Sequence, residues 1–487
     1  MPGGVMQLVS VGAQDQFITG SPEISWFKMV YKRHTNFSME SVRQTFNNKP
    51  VIEVSSRNTY TCKINRVGDL LQEIYFAYQL PNIYSSRKFR FRWIDNISQY
   101  IVYSCAVRID TQLIDQLWGD WMDVWNELSL TADKKEAYDK MTANVDDFND
   151  PRMEEAFQTI INNNIEFNYY PSGDTLESPS IRGRRIYLPL QFWFTRNPGL
   201  ALPLIALQYQ NIEVTIELRS IRELYRIYDE NTGIYFSPDE FATENISIPT
   251  QTSFINDNNN FDVSIERFLV PVNSSYEGVP NYIDIDGYLE CNFIFLDEAE
   301  RKAMATNSHD FLIQRAYRIE QNSLVGNRTI DLMIQNPIKE LIWIARRNDM
   351  RRYNNWNNFT DFRFSAANHN ILVSTKLLWN GMERFEDKPP EYFNYIQPFQ
   401  HHSRCPRDGI HCYSFAIYPE KLQPSGSFNA STINKIQLYI TTNTPETVTI
   451  DSRQTYNYSY EYDFIIYALH YNIFRIMSGS GGMVFAN

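Results

Sequence analysis

Hydrophobic residues fall on every second position over much of this chain. Ile74, Phe76, Tyr78 and Leu80 alternate with polar or small residues and end at Pro81-Asn82, the pattern of a half-buried strand and its turn. Cys105, Val107 and Ile109 repeat it, as do Ile212, Val214, Ile216 and Leu218, with Glu213, Thr215 and Glu217 between them. Leu289, Cys291, Phe293 and Phe295 follow, and later Ile436, Leu438 and Ile440. Successive strand side chains point to opposite faces, so each stretch presents one apolar and one wet face, as antiparallel sheets do. Asn380-Gly381, between Leu377-Leu378-Trp379 and Met382, is the dipeptide of a tight type I′ hairpin.

Helical signals are sparse. Residues 131–138 start with Thr131 as an N-cap candidate and acidic residues just inside, residues 154–160 suggest a second short helix, and residues 297–306 give the clearest one. Between Arg219 and about Asp284 the pattern breaks, with Pro249, Pro271, Pro280 and the run Asn256-Asp257-Asn258-Asn259-Asn260. This stretch reads as a connector carrying a surface insertion. It divides the chain into halves with related endings. Leu188 to Phe194, a Pro/Gly loop and the Ile212 strand in the first half correspond to Tyr413 to Tyr418, residues 419–426 and the Ile436 strand in the second. A duplicated β-domain follows as an expectation. Gly479-Ser480-Gly481-Gly482 leaves no room for a phosphate-binding helix and reads as a closely packed or flexible tail.

With 487 residues, the chain is too long for one ordinary core. Aromatic residues make up 15% of it, which suits pleated, half-buried surfaces. The net charge of -12 opposes wrapping of phosphate-rich DNA, so sequence-specific nucleic-acid binding is not expected. Five scattered cysteines (Cys62, Cys105, Cys291, Cys405 and Cys412) fit a reducing compartment better than a disulfide scaffold. The N-terminus lacks the pattern of a signal peptide, and the apolar run 199–207 is about half of the ~20 residues a membrane span needs.

Candidate chemistry is thin. No nucleophile elbow, Walker-type loop or dinucleotide fingerprint occurs. Within residues 401–412, His402, Cys405, His411 and Cys412 are the candidate zinc ligands. Their spacing matches no familiar finger and Pro406-Arg407-Asp408-Gly409 is good turn chemistry, so a polar loop without metal or cofactor is expected. Acidic pairs such as Asp146-Asp147 and Glu154-Glu155 read as solvated faces. Trp26, Lys28, Tyr31, Lys32, Arg33 and His34 interleave aromatic and basic side chains and read as an arm that docks on a neighbour. Arg346-Arg347 and Arg351-Arg352, near Trp343 and Trp356, read the same way.

Four ordered segments form a recognisable pattern. The opening Gly3-Gly4-Val5-Met6-Gln7-Leu8-Val9, continuing through Gly12-Ala13-Gln14-Asp15 to Tyr31-Lys32-Arg33-His34-Thr35-Asn36-Phe37, resembles that of the major capsid proteins of nucleocytoplasmic large DNA viruses. Residues 197–209, from Asn197-Pro198-Gly199 to Gln208-Tyr209, look like that family's signature near the end of its first domain. Tyr413-Ser414-Phe415-Ala416 with Gln423-Pro424-Ser425-Gly426 is similar to the counterpart in the second, and the ending from Tyr471 to Asn487 resembles the family's C-terminus.

The resemblance implies an all-β fold of two consecutive eight-stranded antiparallel jelly rolls, with short helices in inter-strand loops. It divides the chain into an arm (1–25), a first jelly roll (26–220, with an insertion at about 125–170), a connector (221–283) and a second jelly roll (284–487). The connector and insertion are expected on the outer surface. The resemblance also implies a non-enzymatic structural protein whose homotrimers form pseudo-hexagonal capsomers of an icosahedral virion, assembled in the host cytoplasm. Its implied partners are neighbouring capsomers, minor capsid proteins and an internal viral membrane, with Trp26–His34 on the inner face. The alternative is a lectin-like carbohydrate-binding jelly roll. A hydrolase on this architecture would need converging ionisable groups, which the sequence does not display.

Overall fold

The computed structural model describes residues 3–85, 90–149, 157–161, 164–168, 179–229, 234–238, 264–271, 274–275, 277–362, 369–446, 448–450 and 456–485. Among the described residues, sixteen strands form the frame of two sandwiches. The first contains β1 (Phe37–Gln44), β2 (Asn58–Lys63), β3 (Leu70–Gln79), β4 (Val102–Ile109), β5 (Gln112–Trp118), β6 (Arg185–Pro189), β7 (Ile212–Leu218) and β8 (Tyr288–Leu296). The second contains β9 (His309–Leu324), β10 (Asn327–Asp331), β11 (Pro337–Arg347), β12 (Leu372–Trp379), β13 (Met382–Lys388), β14 (Ile410–Ser414), β15 (Ile436–Thr442) and β16 (Tyr462–Met477).

Strand order shows the duplication directly. In the first sandwich β1-β8-β3-β6 faces β2-β7-β4-β5, and in the second β9-β16-β11-β14 faces β10-β15-β12-β13. Adding eight to each label converts the first pattern into the second. These neighbours pair antiparallel throughout, so each unit is a jelly roll. The strands β7 and β15, matched on sequence grounds, occupy equivalent places and share the same alternating burial. Asn380-Gly381 forms the expected hairpin between β12 and β13, with φ of 49° and 86°.

The second jelly roll does not begin at residue 284. Tyr288–Leu296 is the strand β8, inserted between β1 and β3, and it completes the first sandwich. A helix-linked boundary follows it, through Glu298–Thr306, whose N-cap Asp297 carboxylate accepts from Glu298 N. Period-2 patterning is the same in every strand of a duplicated fold, so it could not tell which sheet a strand joins.

The connector is therefore the passage from β7 to β8, and part of it is core rather than decoration. Its strands Tyr225–Asp229 and Ile234–Phe236 pair with each other, and the former pairs with Arg90–Trp93. Phe268 meets Phe91 at 5.2 Å, while Ile221, Leu224 and Ile265 are buried. The Asn256–Asn260 run lies outside the described residues.

Two further expectations change. Residues 157–161 form a strand paired with Asn164–Asn168 instead of a helix, because hairpin partnership outweighs a short helical preference. The insertion after β5 is not wholly an outer ornament. Its first helix, α1 (Gly119–Ser129), is buried along most of its length, whereas α2 (Ala132–Met141), which follows the expected Thr131 N-cap position, buries only Tyr138.

Candidate assembly surface and domain junction

Ahead of β1, the N-terminal arm buries no side chain against the described residues. Every residue from 3 to 41 is exposed, including the short helices Gly3–Val9 and Gln16–Thr19 and the first part of β1. Trp26, Phe27, Met29 and Tyr31 are 82–99% exposed. Large apolar side chains left in water over such a length mark a surface meant for another molecule. Lys28, Lys32, Arg33 and His34 share this exposure, so all six arm residues singled out above lie on one accessible segment. Arg346 and Arg347 do not: both are buried.

The two sandwiches meet through α1. Its Trp121 and Trp125 stack at 5.4 Å, and Trp121 lies 4.9 Å from Tyr467 of β16. Trp193, from the loop after β6, reaches Phe474 at 5.5 Å. The sheet β9-β16-β11-β14 thus has two dry faces: one packs on its own partner sheet and the other on the first jelly roll. That is why β16 and β11 are buried at nearly every position.

Charge pairs cross the same junction. Asp120 accepts from Arg346 at 3.0 Å, with Arg318 at 3.8 Å. Burial alone would raise the Asp120 carboxyl, but Arg346, Arg219 and Arg318 outweigh it and hold it below its usual range. Arg407 pairs with Asp123 and, at 3.7 Å, with Glu127. The C-terminal hairpin adds a clasp. Ser480–Met483 folds back on β16, Gly481 N donates to Gln210 Oε1 at 2.6 Å, and a Cβ on Gly479 would stand 2.6 Å from the Tyr209 ring. The glycine tail is therefore a packed one, seated on the end of the 197–209 signature and on Gln210.

Beside Trp125 lies a buried polar cluster. His402 Nε2 is 2.5 Å from Glu340 Oε1 and its Nδ1 is 3.0 Å from Glu420 Oε1. Burial disfavours the charged imidazole, but these carboxylates prevail and push its pKa up to about 12. Cys412 belongs to the group: single donor atoms of Glu340, His402 and Cys412 all lie within 4.8 Å of one another. The other two zinc candidates do not. Cys405 is exposed, and His411 is buried against Trp343 with the rings nearly parallel at 6.1 Å. Glu340 had no local signal, since it arrives from β11, more than sixty residues earlier in the chain.

Two family descriptions match the chain, "Major capsid protein N-terminus" over residues 25–267 and "Large eukaryotic DNA virus major capsid protein" over residues 300–482. The major capsid protein of Pyramimonas orientalis virus is 30% identical over 512 residues, covering all of both chains. That of Phaeocystis pouchetii virus is 29% identical over 577 residues, also at full coverage. The chain belongs to the major capsid proteins of large eukaryotic DNA viruses. Among solved structures, the capsid protein in a quasi-atomic model of the PBCV-1 capsid covers 95% of this chain and 100% of its own, with a TM-score of 0.66 at 24% identity. The Faustovirus major capsid protein aligns with a TM-score of 0.65 at 12% identity, a likeness of fold.

As a major capsid protein, the chain is a structural component of the virion and not an enzyme. Its relatives decide against the lectin-like alternative.

Proposed function

We propose that three copies of this chain associate into a pseudo-hexagonal capsomer, and that such capsomers tile an icosahedral shell. The observation carrying this reading is the internal duplication: one chain holds two jelly rolls of identical strand order, joined by a dry, charge-paired junction. Closed threefold symmetry then presents six similar sides, as a hexagonal lattice needs, from a single gene product.

The arm faces the shell interior in this arrangement. Trp26 and Tyr31 offer amphipathic rings, and Lys28, Lys32, Arg33 and His34 offer donors suited to acidic protein surfaces or lipid headgroups. Minor capsid proteins and the internal viral membrane are its partners. Five free cysteines, four of them buried, fit folding in the reducing host cytoplasm.

Light scattering on the purified protein tests the reading. Three chains of 57.3 kDa give a particle of about 172 kDa. A species that stays at the mass of one chain up to the highest attainable concentration overturns the proposal.

A further inference from the structure

The cluster at the domain junction has the composition of a metal centre. Glu340 and Cys412 come from adjacent paired strands: β11 and β14 match Glu340 with Ser414 and Ile342 with Cys412. Positions two apart share a face, so the carboxylate and the thiol are diagonal neighbours on the side that meets the first jelly roll. His402, just past the short helix Gln397–His401, brings its imidazole down onto that pair.

Several features point to an ion rather than to packing alone. Glu340 is fully buried, yet its Oε2 has no hydrogen-bond partner. A buried carboxylate oxygen left unpaired is costly, and a cation would satisfy it. The donor set is one oxygen, one nitrogen and one sulfur, a borderline-soft combination that zinc accepts and that magnesium or calcium does not favour. Glu420 binds the far nitrogen of the same imidazole at 3.0 Å and itself accepts from Ser403 N at 2.8 Å. A carboxylate held behind a histidine in this way is the arrangement that orients a ligating imidazole.

We propose that Glu340, His402 and Cys412 bind a zinc-class divalent cation, with Glu420 as the positioning residue. The ion joins two strands and a loop of the second jelly roll directly beneath Trp125 of α1, so it stiffens the junction between domains. Binding transfers the Cys412 thiol proton and one His402 proton to solvent. Thiolate sulfur, imidazole Nε2 and carboxylate oxygen then hold the metal, and a fourth position remains for water.

Cobalt(II) chloride added to the metal-stripped full-length protein provides the direct test. The expected result is a near-ultraviolet thiolate-to-cobalt absorption together with the intense visible bands of a four-coordinate ion, both displaced by zinc sulfate at about one ion per chain. Cys412→Ser loses the thiolate absorption, whereas Cys405→Ser keeps it, because Cys405 lies outside the cluster. Glu420→Gln retains the spectrum with about 10- to 100-fold weaker zinc binding. Wild-type protein that develops no thiolate absorption overturns the proposal whether or not the variants fold. An unchanged spectrum in folded Cys412→Ser also overturns it, and a proton shared between His402 and Glu340 then accounts for the cluster.

Discussion

At the scale of single residues, burial decides behaviour more than chemical type does. His470 on β16 is 4% exposed and lines a cavity of about 240 Å³ with Tyr317, Met333 and Ala468. Burial and the nearby Arg315 of β9 lower its pKa from 6.5 to about 4, against a weak opposing contact at the Tyr471 carbonyl. The unfolded chain therefore binds this proton more readily than the folded one. Stability from this group is complete above pH 6.5 and is lost as pH falls through 4. The loss reaches about 2.5 kcal/mol at pH 4.5. Urea unfolding of His470→Gln should show a pH dependence flatter by that amount between pH 7 and 4.5. Parallel curves for variant and wild type refute the assignment.

Two glycines show how surroundings set the cost of one methyl group. Gly409 has φ +88°, and a Cβ there would lie 2.2 Å from the Phe359 carbonyl oxygen. Gly381 has nearly the same φ, +86°, but faces open space. Gly381→Ala should cost about 1 kcal/mol, the conformational penalty alone. Gly409→Ala adds a clash with backbone and should cost at least about 3 kcal/mol. Equal shifts in the two urea midpoints would mean that the Phe359 contact is unimportant.

Among elements, α1 sits where the two sandwiches meet. Its signal was present in the sequence: Trp118, Trp121, Trp125 and Leu128 recur at helical spacing. It was obscured by a surrounding insertion that otherwise reads as polar. Asp120→Ala leaves Arg346 buried without its carboxylate and should destabilise the fold by about 3–5 kcal/mol. Glu136→Ala removes only the exposed α2 pair with Lys140 and should leave the melting temperature essentially unchanged. Thermal melts of the two variants distinguish the cases, and a mild Asp120→Ala phenotype would demote the junction pair. Residues 157–161 make the complementary point. Their few apolar positions satisfy either period, and only the partner strand at 164–168 settles the matter.

For the whole molecule, the arm and the tile are separable. No residue from 3 to 36 is buried, so removing them should leave the melting temperature within about 2 °C of the full chain. The same truncation should abolish incorporation into shells when coexpressed with the other virion proteins. Shells that accept the truncated chain at normal efficiency exclude the arm as the inner contact.

Local spacing along the chain was enough for the all-β class, the Asn380-Gly381 hairpin, a helix near residues 297–306, and the correspondence of β7 with β15. These depend on side-chain period and turn chemistry within a few residues, and the ordered capsid-like segments extended them to family and fold. Tertiary structure alone decided which sheet claims each strand, so β8 passed from the second domain to the first. It also decided that α1 and part of the connector are buried, and that Glu340, rather than Cys405 or His411, joins His402 and Cys412. Sheet partners and site residues meet across tens to hundreds of positions. An alternating pattern names the face a side chain uses, but not the neighbour that it will find there.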